Sequence, residues 1–342
     1  PIFIVFIVII LVICIYLIIS RLPYLKSEKR IESFTSRESG FLLNNVIFIT
    51  ICFAVFWGTI FPVLSEAVSG DKITVGAPFF NRVNIPIGLM LLFFTGVGPL
   101  LAWRRTSKDA FIRNFSIPII SGIAIFIVCL IFGIRNTTLI SFPLTAFVFT
   151  AILIEFQRGI NSRVTRFDES FLKALQTLIA RNRSRYGGYI AHLGIVFMFI
   201  GFSGQAFDTE LEFALKKGDS KIFDGYSFEL VSIDPVERPN HIAWIAGINV
   251  WNLEKHLVTT LYPEKRVYFY LDPNPEKRQP HSELDIHTTI YKDIYSIFSG
   301  VDIEKQIAYL KIMINRLVYW VWFGGYVLII GTMISLWPAK EY

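Results

Sequence analysis

Long apolar blocks alternate with short polar connections along most of this chain. Seven of the blocks are long enough, or nearly so, to cross a hydrocarbon layer about 30 Å thick. They lie at roughly 1–20, 41–63, 85–103, 117–134, 140–156, 186–206 and 318–338. Backbone groups in lipid have no water to bind, so each block is predicted to be an α-helix. The pattern therefore predicts a polytopic helical membrane protein with about seven transmembrane helices.

The polar segment between the last two blocks shows short runs of β-branched and aromatic residues instead. The runs lie at 226–233, 243–251, 256–262, 267–271, 282–291 and 293–298. Turn-rich pieces separate them, which is typical of β-strands, and about 110 residues are enough for one hydrophobic core. We therefore predict a six-span helical bundle over 1–206, a small all-β domain over 207–317, and a last transmembrane helix with its tail over 318–342.

Charge is concentrated in alternate connections between the blocks. The chain is 53% hydrophobic and only 18% charged, with a net charge of +6. Segments 21–40, 104–116 and 157–188 carry five, four and seven Lys or Arg residues, whereas 64–84 carries two and 135–139 one. By the positive-inside rule the basic connections are cytoplasmic. The β domain is then outside and the C-terminus inside, and the basic balance indicates this orientation and no nucleic-acid partner.

The cysteines and the start of the chain exclude some classes of protein. Cys14, Cys52 and Cys129 all lie in apolar blocks, and there is no C-x-x-C or C-x-x-C-H. The chain is therefore neither a thiol–disulfide reductant nor a carrier of its own covalent c-type haem. Pro1 opens directly into a span without a basic region before it, so we expect upstream sequence rather than a signal peptide.

One histidine lies inside an apolar block, in RYGGYIAHLG (185–194). His192 is the only histidine in a predicted span, and the four others lie in the β domain with spacings that match no zinc site. Ionisable residues in membranes usually face a bundle interior, and neutral imidazole is a good haem ligand. Three interpretations remain open at this point: a hydrogen bond across helices, a cofactor ligand, or a proton relay.

The neighbours of His192 on the predicted helix fall into two groups. Gly188, Ile195 and Phe199 share its face. A stripe of small residues runs beside that face, formed by Gly187, Ala191, Gly194 and Gly201. Such a stripe allows a second helix or a flat ligand to approach the backbone closely.

Several longer stretches resemble one family in order and in topology. They are SRESGFLLNN (36–45), the run from FWGTIF to LAWRR (56–105), RYGGYIAHLGIVFMFIGFSGQAF (185–207), YPEKRVYFY (262–270) and NRLVYWVWFGG (315–325). Together they resemble the second half of CcmF, the membrane haem lyase subunit of the cytochrome c maturation system. The blocks GAPFFNRV and RYGGYIAHLG are the most specific. The last motif departs from the family's usual Asn-Pro-Leu, because Arg316 stands in place of proline.

The resemblance implies a function in cytochrome c assembly. The family takes haem from a periplasmic haem chaperone and helps to attach it to the two thiols of an apocytochrome c. It also holds a haem b between two transmembrane histidines, and His192 matches the second of them. The first histidine and the family's Trp-rich haem-handling motif are expected upstream of Pro1, so this chain alone should not complete the reaction. Further implied partners are the thiol-handling proteins, and the implied location is the bacterial inner membrane.

Arg82, in the motif PFFNR, is a second candidate site residue. We place it in an outer loop, where a guanidinium suits a haem propionate. Two other functions compete with the haem lyase. A transporter would use His192 as a proton relay, but no acidic residue lies deep in a span except Glu155, at a cytoplasmic edge, and no inverted repeat is visible. A non-catalytic scaffold for the β domain would make His192 dispensable.

Overall fold

The computed structural model describes residues 2–25, 36–101, 107–269 and 279–338. Within these ranges the chain forms eight α-helices and ten β-strands. The helices are α1 (Ile2–Leu25), α2 (Arg37–Ser69), α3 (Ala77–Leu100), α4 (Lys108–Ile131), α5 (Thr138–Phe167), α6 (Phe171–Arg181), α7 (Arg183–Gly204) and α8 (Val318–Leu336). All except α6 are long and apolar enough to cross a membrane, which confirms the predicted class of fold.

The helices begin and end where local chemistry satisfies their backbone groups, which is often outside the apolar blocks. Ser36 caps α2 by accepting a hydrogen bond from Ser39 N at 3.1 Å, and Ser107 caps α4 through Ala110 N at 3.3 Å. Helix α2 ends at Gly70, whose φ of 77° suits glycine. Helix α3 begins at Gly76-Ala77 with Pro78 in its first turn. Several spans are therefore longer than their apolar blocks.

The bundle is built around α5. Its buried side chains include Phe147, Val148 and Ile152, which lie in one hydrophobic core with Leu92 of α3 and Val196 of α7. Helix α4 packs on α5, α2 packs on α3, and α8 packs along α7. None of the described side chains of α1 is buried. The inner surface of the bundle is therefore formed mainly by α3, α5 and α7.

The β domain is a sandwich of two antiparallel sheets between α7 and α8. Its strands are β1 (Thr209–Lys216), β2 (Ser220–Phe223), β3 (Tyr226–Arg238), β4 (His241–Asn252), β5 (Leu257–Leu261), β6 (Glu264–Tyr268), β7 (His281–Glu283), β8 (Asp285–Thr288), β9 (Lys292–Asp302) and β10 (Ile307–Arg316). One sheet has the order β1-β10-β9-β8, and the other β2-β3-β4-β6-β7 with β5 paired to β4. Phe228, Ile248, Phe298 and Ile312 are among the residues that form the core between them.

The strand predictions are correct for the middle of the domain and incomplete at its edges. The run predicted at 282–291 is two strands, β7 and β8. Strands β1, β2 and β10 were missed, because β2 has only four residues and β10 leads into the last span with an apolar run. The proposed division at 206/207 and 317/318 stays a prediction, with a 3₁₀ turn at Gln205–Phe207 and Leu317 at the two junctions.

Arg316 joins the β domain to the bundle. Its Nη2 donates to both carboxylate oxygens of Asp224, at 2.9 and 2.7 Å, and its Nη1 donates to Phe207 O. Its backbone N–H donates to Asp208 Oδ1 at 2.7 Å. Proline has no N–H to donate, so the departure from the family motif changes the connection between the sandwich and the last helix.

The predicted basic connections lie at one end of the bundle, opposite the β domain. Arg37 at the start of α2 donates to Gly98 O and Pro99 O at the end of α3, at 3.3 and 3.0 Å. Arg183 at the start of α7 donates to Pro338 O after α8, at 2.8 Å. Among the predicted basic residues, Lys26, Lys29, Arg30, Arg104 and Arg105 lie outside the described residues. The assignment of this basic end to the cytoplasm stays a prediction.

A buried carboxylate in β9 predicts a pH-dependent change in stability. Asp293 is 3% exposed, and burial raises the pKa of its carboxyl, an effect that hydrogen bonds from Thr289 and Thr288 partly offset. Ionisation of Asp293 therefore lowers the stability of the folded protein. This loss of stability grows as pH rises above the ordinary aspartate pKa of about 3.9. Asp293→Asn should raise the unfolding temperature at pH 7.5 and change it much less at pH 4.

Thermal unfolding of the purified protein at the two pH values measures this effect. The exposed Asp234→Asn is the matched control, with no pH-dependent difference expected. An equal shift for Asp293→Asn at both pH values would contradict the desolvation argument.

Candidate functional site

His192 lines a cavity between α2, α3 and α7 at the basic end of the bundle. The cavity has a volume of about 860 Å³, which lies within the usual range for small-molecule sites. Its apolar wall includes Phe48, Leu91, Phe94 and Ile195. Its polar wall contains Asn44, Thr95, Tyr189 and several arginines. The cavity is therefore amphipathic, with a histidine on the wall that α7 provides.

The imidazole of His192 has no hydrogen-bond partner among the residues that the structure describes. Its Nδ1 is fully buried without a partner. Buried polar atoms are usually hydrogen-bonded, and an exception needs an explanation. The hydrogen bond across helices, one of the three interpretations of this histidine, does not occur within the described residues. An imidazole that lines a cavity and has no hydrogen-bond partner is chemically suited to bind a metal.

The small-residue stripe and the face of His192 have different neighbours. The stripe packs against α8, where a Cβ on Gly194 would lie 2.5 Å from Leu328 N and a Cβ on Gly324 would lie 2.5 Å from Gly194 O. Around Gly188, in contrast, no atom lies within 4 Å of an added Cβ. The stripe is thus used for helix packing, and open space for a flat ligand lies along Gly188 and His192 instead.

A buried ion pair around Glu155 borders the cavity. In the sequence, Glu155 was predicted only to lie at the edge of a span. Glu155 of α5 is 7% exposed and accepts from Arg185 Nη2 at 2.6 Å, Arg158 Nη1 at 3.2 Å and Tyr189 Oη at 3.3 Å. Arg185 Nε also donates to Tyr189 Oη at 3.1 Å. These bonds fix the first two turns of α7 against α5. The spacing of Arg185 and Tyr189, four residues apart, was the available signal in the sequence.

The structure does not bring Arg82 and His192 together. The outer-loop placement of Arg82 is wrong, because α3 begins at Ala77 and Arg82 lies in its second turn. Its side chain is exposed and does not line the His192 cavity. Leu91, which does line that cavity, lies nine residues further along α3, about 14 Å at the helical rise. Arg82 therefore belongs to the β-domain end of the bundle.

A second cavity of about 870 Å³ lies at that end, where the bundle meets the sandwich. Its polar wall includes Asn84, Ser141, Asp208 and Arg316, and Asn84 Oδ1 is buried without a partner among the described residues. Burial raises the pKa of the Asp208 carboxyl, while the hydrogen bond from Arg316 lowers it. The two cavities share no described lining residue, so they are separate sites.

Comparisons with known proteins agree on one family. Residues 206–315 match the model of the CcmF C-terminal beta-sandwich. The chain is 29% identical over 314 residues to the cytochrome c-type biogenesis protein ccl1 of Rhodobacter capsulatus, covering 90% of this chain and 45% of that protein. It is 26% identical over 309 residues to CcmF of Haemophilus influenzae, covering 89% and 45%.

A solved structure shares the architecture. "Cytochrome c Heme Lyase CcmF" superimposes with a TM-score of 0.70 at 22% sequence identity, over 90% of this chain and 46% of that one. This chain spans about half the length of the curated relatives that it matches. The sequence matches, the order of the spans and the sandwich agree: residues 206–315 are a CcmF C-terminal beta-sandwich, and the described chain as a whole is similar to the C-terminal part of CcmF.

Proposed function

We propose that this chain is the C-terminal part of a cytochrome c haem lyase subunit, and that its His192 cavity holds a haem b. His192 would bind the haem iron, and a second histidine, from the upstream half of the protein, would complete the iron's protein ligands. The observation that carries the proposal is the unpaired imidazole on the wall of an amphipathic cavity of about 860 Å³. A CcmF structure that is named a haem lyase shares the fold.

The residues present fit such a group. Gly188 leaves space beside His192 for a flat ring system, and Phe48, Leu91 and Phe94 provide an apolar wall. Imidazole ligation and a mostly apolar surrounding are common in haem sites. The bound haem would supply one-electron chemistry, while the protein orients its ring and limits access of water.

The remaining partners follow from the family and are proposals for this chain. The upstream half would contribute the Trp-rich haem-handling motif. A periplasmic haem chaperone would deliver haem, and an apocytochrome c with its thiol-handling partners would meet the β domain. In this proposal the β domain lies in the periplasm and the C-terminus in the cytoplasm of a bacterium. The bundle and sandwich position partners in register, which is how such a subunit would accelerate thioether formation.

Arg82 has a separate proposed role. Its place at the β-domain end excludes it from the His192 cavity. A haem in transit at that end would offer a propionate to its exposed guanidinium, which is a suitable carboxylate partner. No catalytic residue is assigned to the chain, because the thiols that react belong to the client.

The test is a reduced-minus-oxidised visible spectrum of the complete gene product, upstream half included. We expect a b-type α band in the wild type and its loss in His192→Ala at equal amounts of inserted protein. Added imidazole should partly restore the band, because it can occupy the space that the side chain leaves. The control is His256→Ala, which changes an exposed histidine of the β domain.

The alternatives differ from the proposal in the expected spectrum, and the proton relay differs from the others in transport. An unchanged band in His192→Ala would remove His192 as the ligand. No band in any variant, the wild type included, would remove the haem proposal for this chain and leave the scaffold. A proton relay would leave the band unchanged and alter only transport. The transporter is further disfavoured because Glu155 is held by two arginines.

A further inference from the structure

We propose that the arginines at the basic end of the His192 cavity bind the two carboxylates of its ligand, with Arg185 and Arg37 as the main counter-ions. The inference rests on the proposed function, because it takes the flat ligand to be a haem. It goes beyond that function by assigning the orientation of the ligand, with its carboxylates toward the basic end and its apolar edge toward the middle of the bundle.

The charge of the cavity wall is the first observation. Four arginines line it, namely Arg37, Arg181, Arg183 and Arg185, and no aspartate or glutamate is among its described lining residues. A cleft lined by one sign of charge with apolar walls attracts the opposite charge. The rest of the described wall is apolar or neutral. This combination suits a ligand with a flat apolar body and acidic substituents at one end.

The position of Arg185 on α7 is the second observation. It precedes His192 by seven residues, so it lies two turns away, about 10 Å along the axis, on nearly the same side of the helix. Gly188 lies between the two and leaves the cavity open there. A ligand that is bound at His192 and extends past Gly188 toward the basic end would therefore approach Arg185, which lies beside Tyr189 on the cavity wall.

The hydrogen bonds of the two arginines are the third observation. Arg185 uses Nε for Tyr189 and Nη2 for Glu155, and Arg37 uses Nε for Gly98 O and Nη2 for Pro99 O. In both guanidinium groups, Nη1 donates to no residue that the structure describes. The existing bonds fix each group in place and leave donors available. Charge-assisted bonds from a fixed guanidinium to a carboxylate are strong and directional.

The other two arginines of the wall are less suited to this role. Arg183 already donates its Nη1 to Pro338 O at 2.8 Å. Arg181, at the end of α6, donates no hydrogen bond to a described residue, so its guanidinium is not held in place as those of Arg37 and Arg185 are. Positive charge at this end also agrees with the positive-inside rule alone, so the experiment must depend on the carboxylates of the ligand and not only on protein charge.

The experiment compares two porphyrins on the complete gene product, upstream half included, after its haem has been removed. The probes are haem and haem dimethyl ester, which lacks the two charges, and binding is followed by the b-type visible band. The variants are Arg37→Gln, Arg185→Gln and the charge-retaining Arg37→Lys. The control is Arg113→Gln, an exposed arginine in α4 that does not line the cavity.

We expect the wild type and Arg113→Gln to bind haem about ten-fold or more tightly than the ester. Each Gln variant should reduce this ratio several-fold by weakening haem binding while ester binding stays the same, and Arg37→Lys should keep part of the ratio. Unchanged ester binding also shows that a variant is folded. The inference is overturned if the wild type does not distinguish the two porphyrins, or if the ratio is unchanged in both Gln variants. Failure of the proposed function is distinct, because neither porphyrin would then give a band that depends on His192.

Discussion

Gly188→Phe should abolish the haem b band while the protein remains folded and inserted. An added Cβ at Gly188 meets no atom within 4 Å, so the backbone accepts a side chain there. The position borders the cavity one turn before His192. A benzyl group at this place would occupy the space beside the imidazole that the flat ligand requires. Haem content per protein should fall by about ten-fold or more, the loss expected when a ring-sized group fills a preformed site.

The measurement is the ratio of the visible haem band to protein in the purified complete gene product. Gly325→Phe is the matched control, because Gly325 of α8 also has no atom within 4 Å of an added Cβ and does not line the cavity. Its haem ratio should equal that of the wild type. A full haem band in Gly188→Phe would mean that the ligand does not occupy the space beside His192. The proposed position of the haem would then be wrong.

Gly194→Leu, in contrast, should destabilise the fold and reduce the amount of folded protein. A Cβ at this position would lie 2.5 Å from Leu328 N and 2.6 Å from Gly324 O of α8. These are backbone atoms, so α7 and α8 must separate along their contact to admit the side chain. Overpacking of a close-packed site usually costs about 1–3 kcal/mol and occasionally more, and a rigid backbone contact belongs at the upper end of that range.

The thermal unfolding midpoint and the yield of inserted protein measure the effect of Gly194→Leu. Gly325→Leu is the control on the facing helix, where the structure leaves space, and its midpoint should lie close to that of the wild type. A wild-type midpoint for Gly194→Leu would show that the α7–α8 contact is looser than the structure has it. The two glycine positions lie six residues apart on α7, yet one variant should lose the ligand and the other the fold.

The same pair of residues shows the limit of sequence reasoning about small side chains. Gly188 and Gly194 are the same residue type in one apolar block. Gly188 shares the predicted face of His192, whereas Gly194 belongs to the small-residue stripe, for which either a helix or a flat ligand was the expected neighbour. Only the position of α8 decides that Gly194 is used for packing. Helix–helix contact depends on which faces meet, and this follows from the global arrangement rather than from local pattern.

The placement of Arg82 and Glu155 depended on tertiary structure for related reasons. The apolar block starts near residue 85, but α3 begins at Ala77 because Gly76 and Pro78 allow an earlier start. Arg82 is therefore helical and remote from His192. Glu155 looked like an isolated acid at a span edge, whereas Arg158, Arg185 and Tyr189 meet it from two helices. The contacts from Arg185 and Tyr189 join residues that are 30 and 34 positions apart.

The sequence by itself determined the features that depend on whether a segment lies in lipid or in water. Apolar length placed the seven spans, and short runs of β-branched and aromatic residues placed the middle strands of the sandwich. The alternation of Lys and Arg identified the end of the bundle that lies opposite the β domain. His192 stood out because an imidazole in lipid is costly. The tertiary structure decided the cavity beside it and the use of each glycine. Strands β1 and β10, which pair across almost a hundred residues, also depended on it. These features depend on long-range packing, which hydropathy and spacing along the chain do not encode.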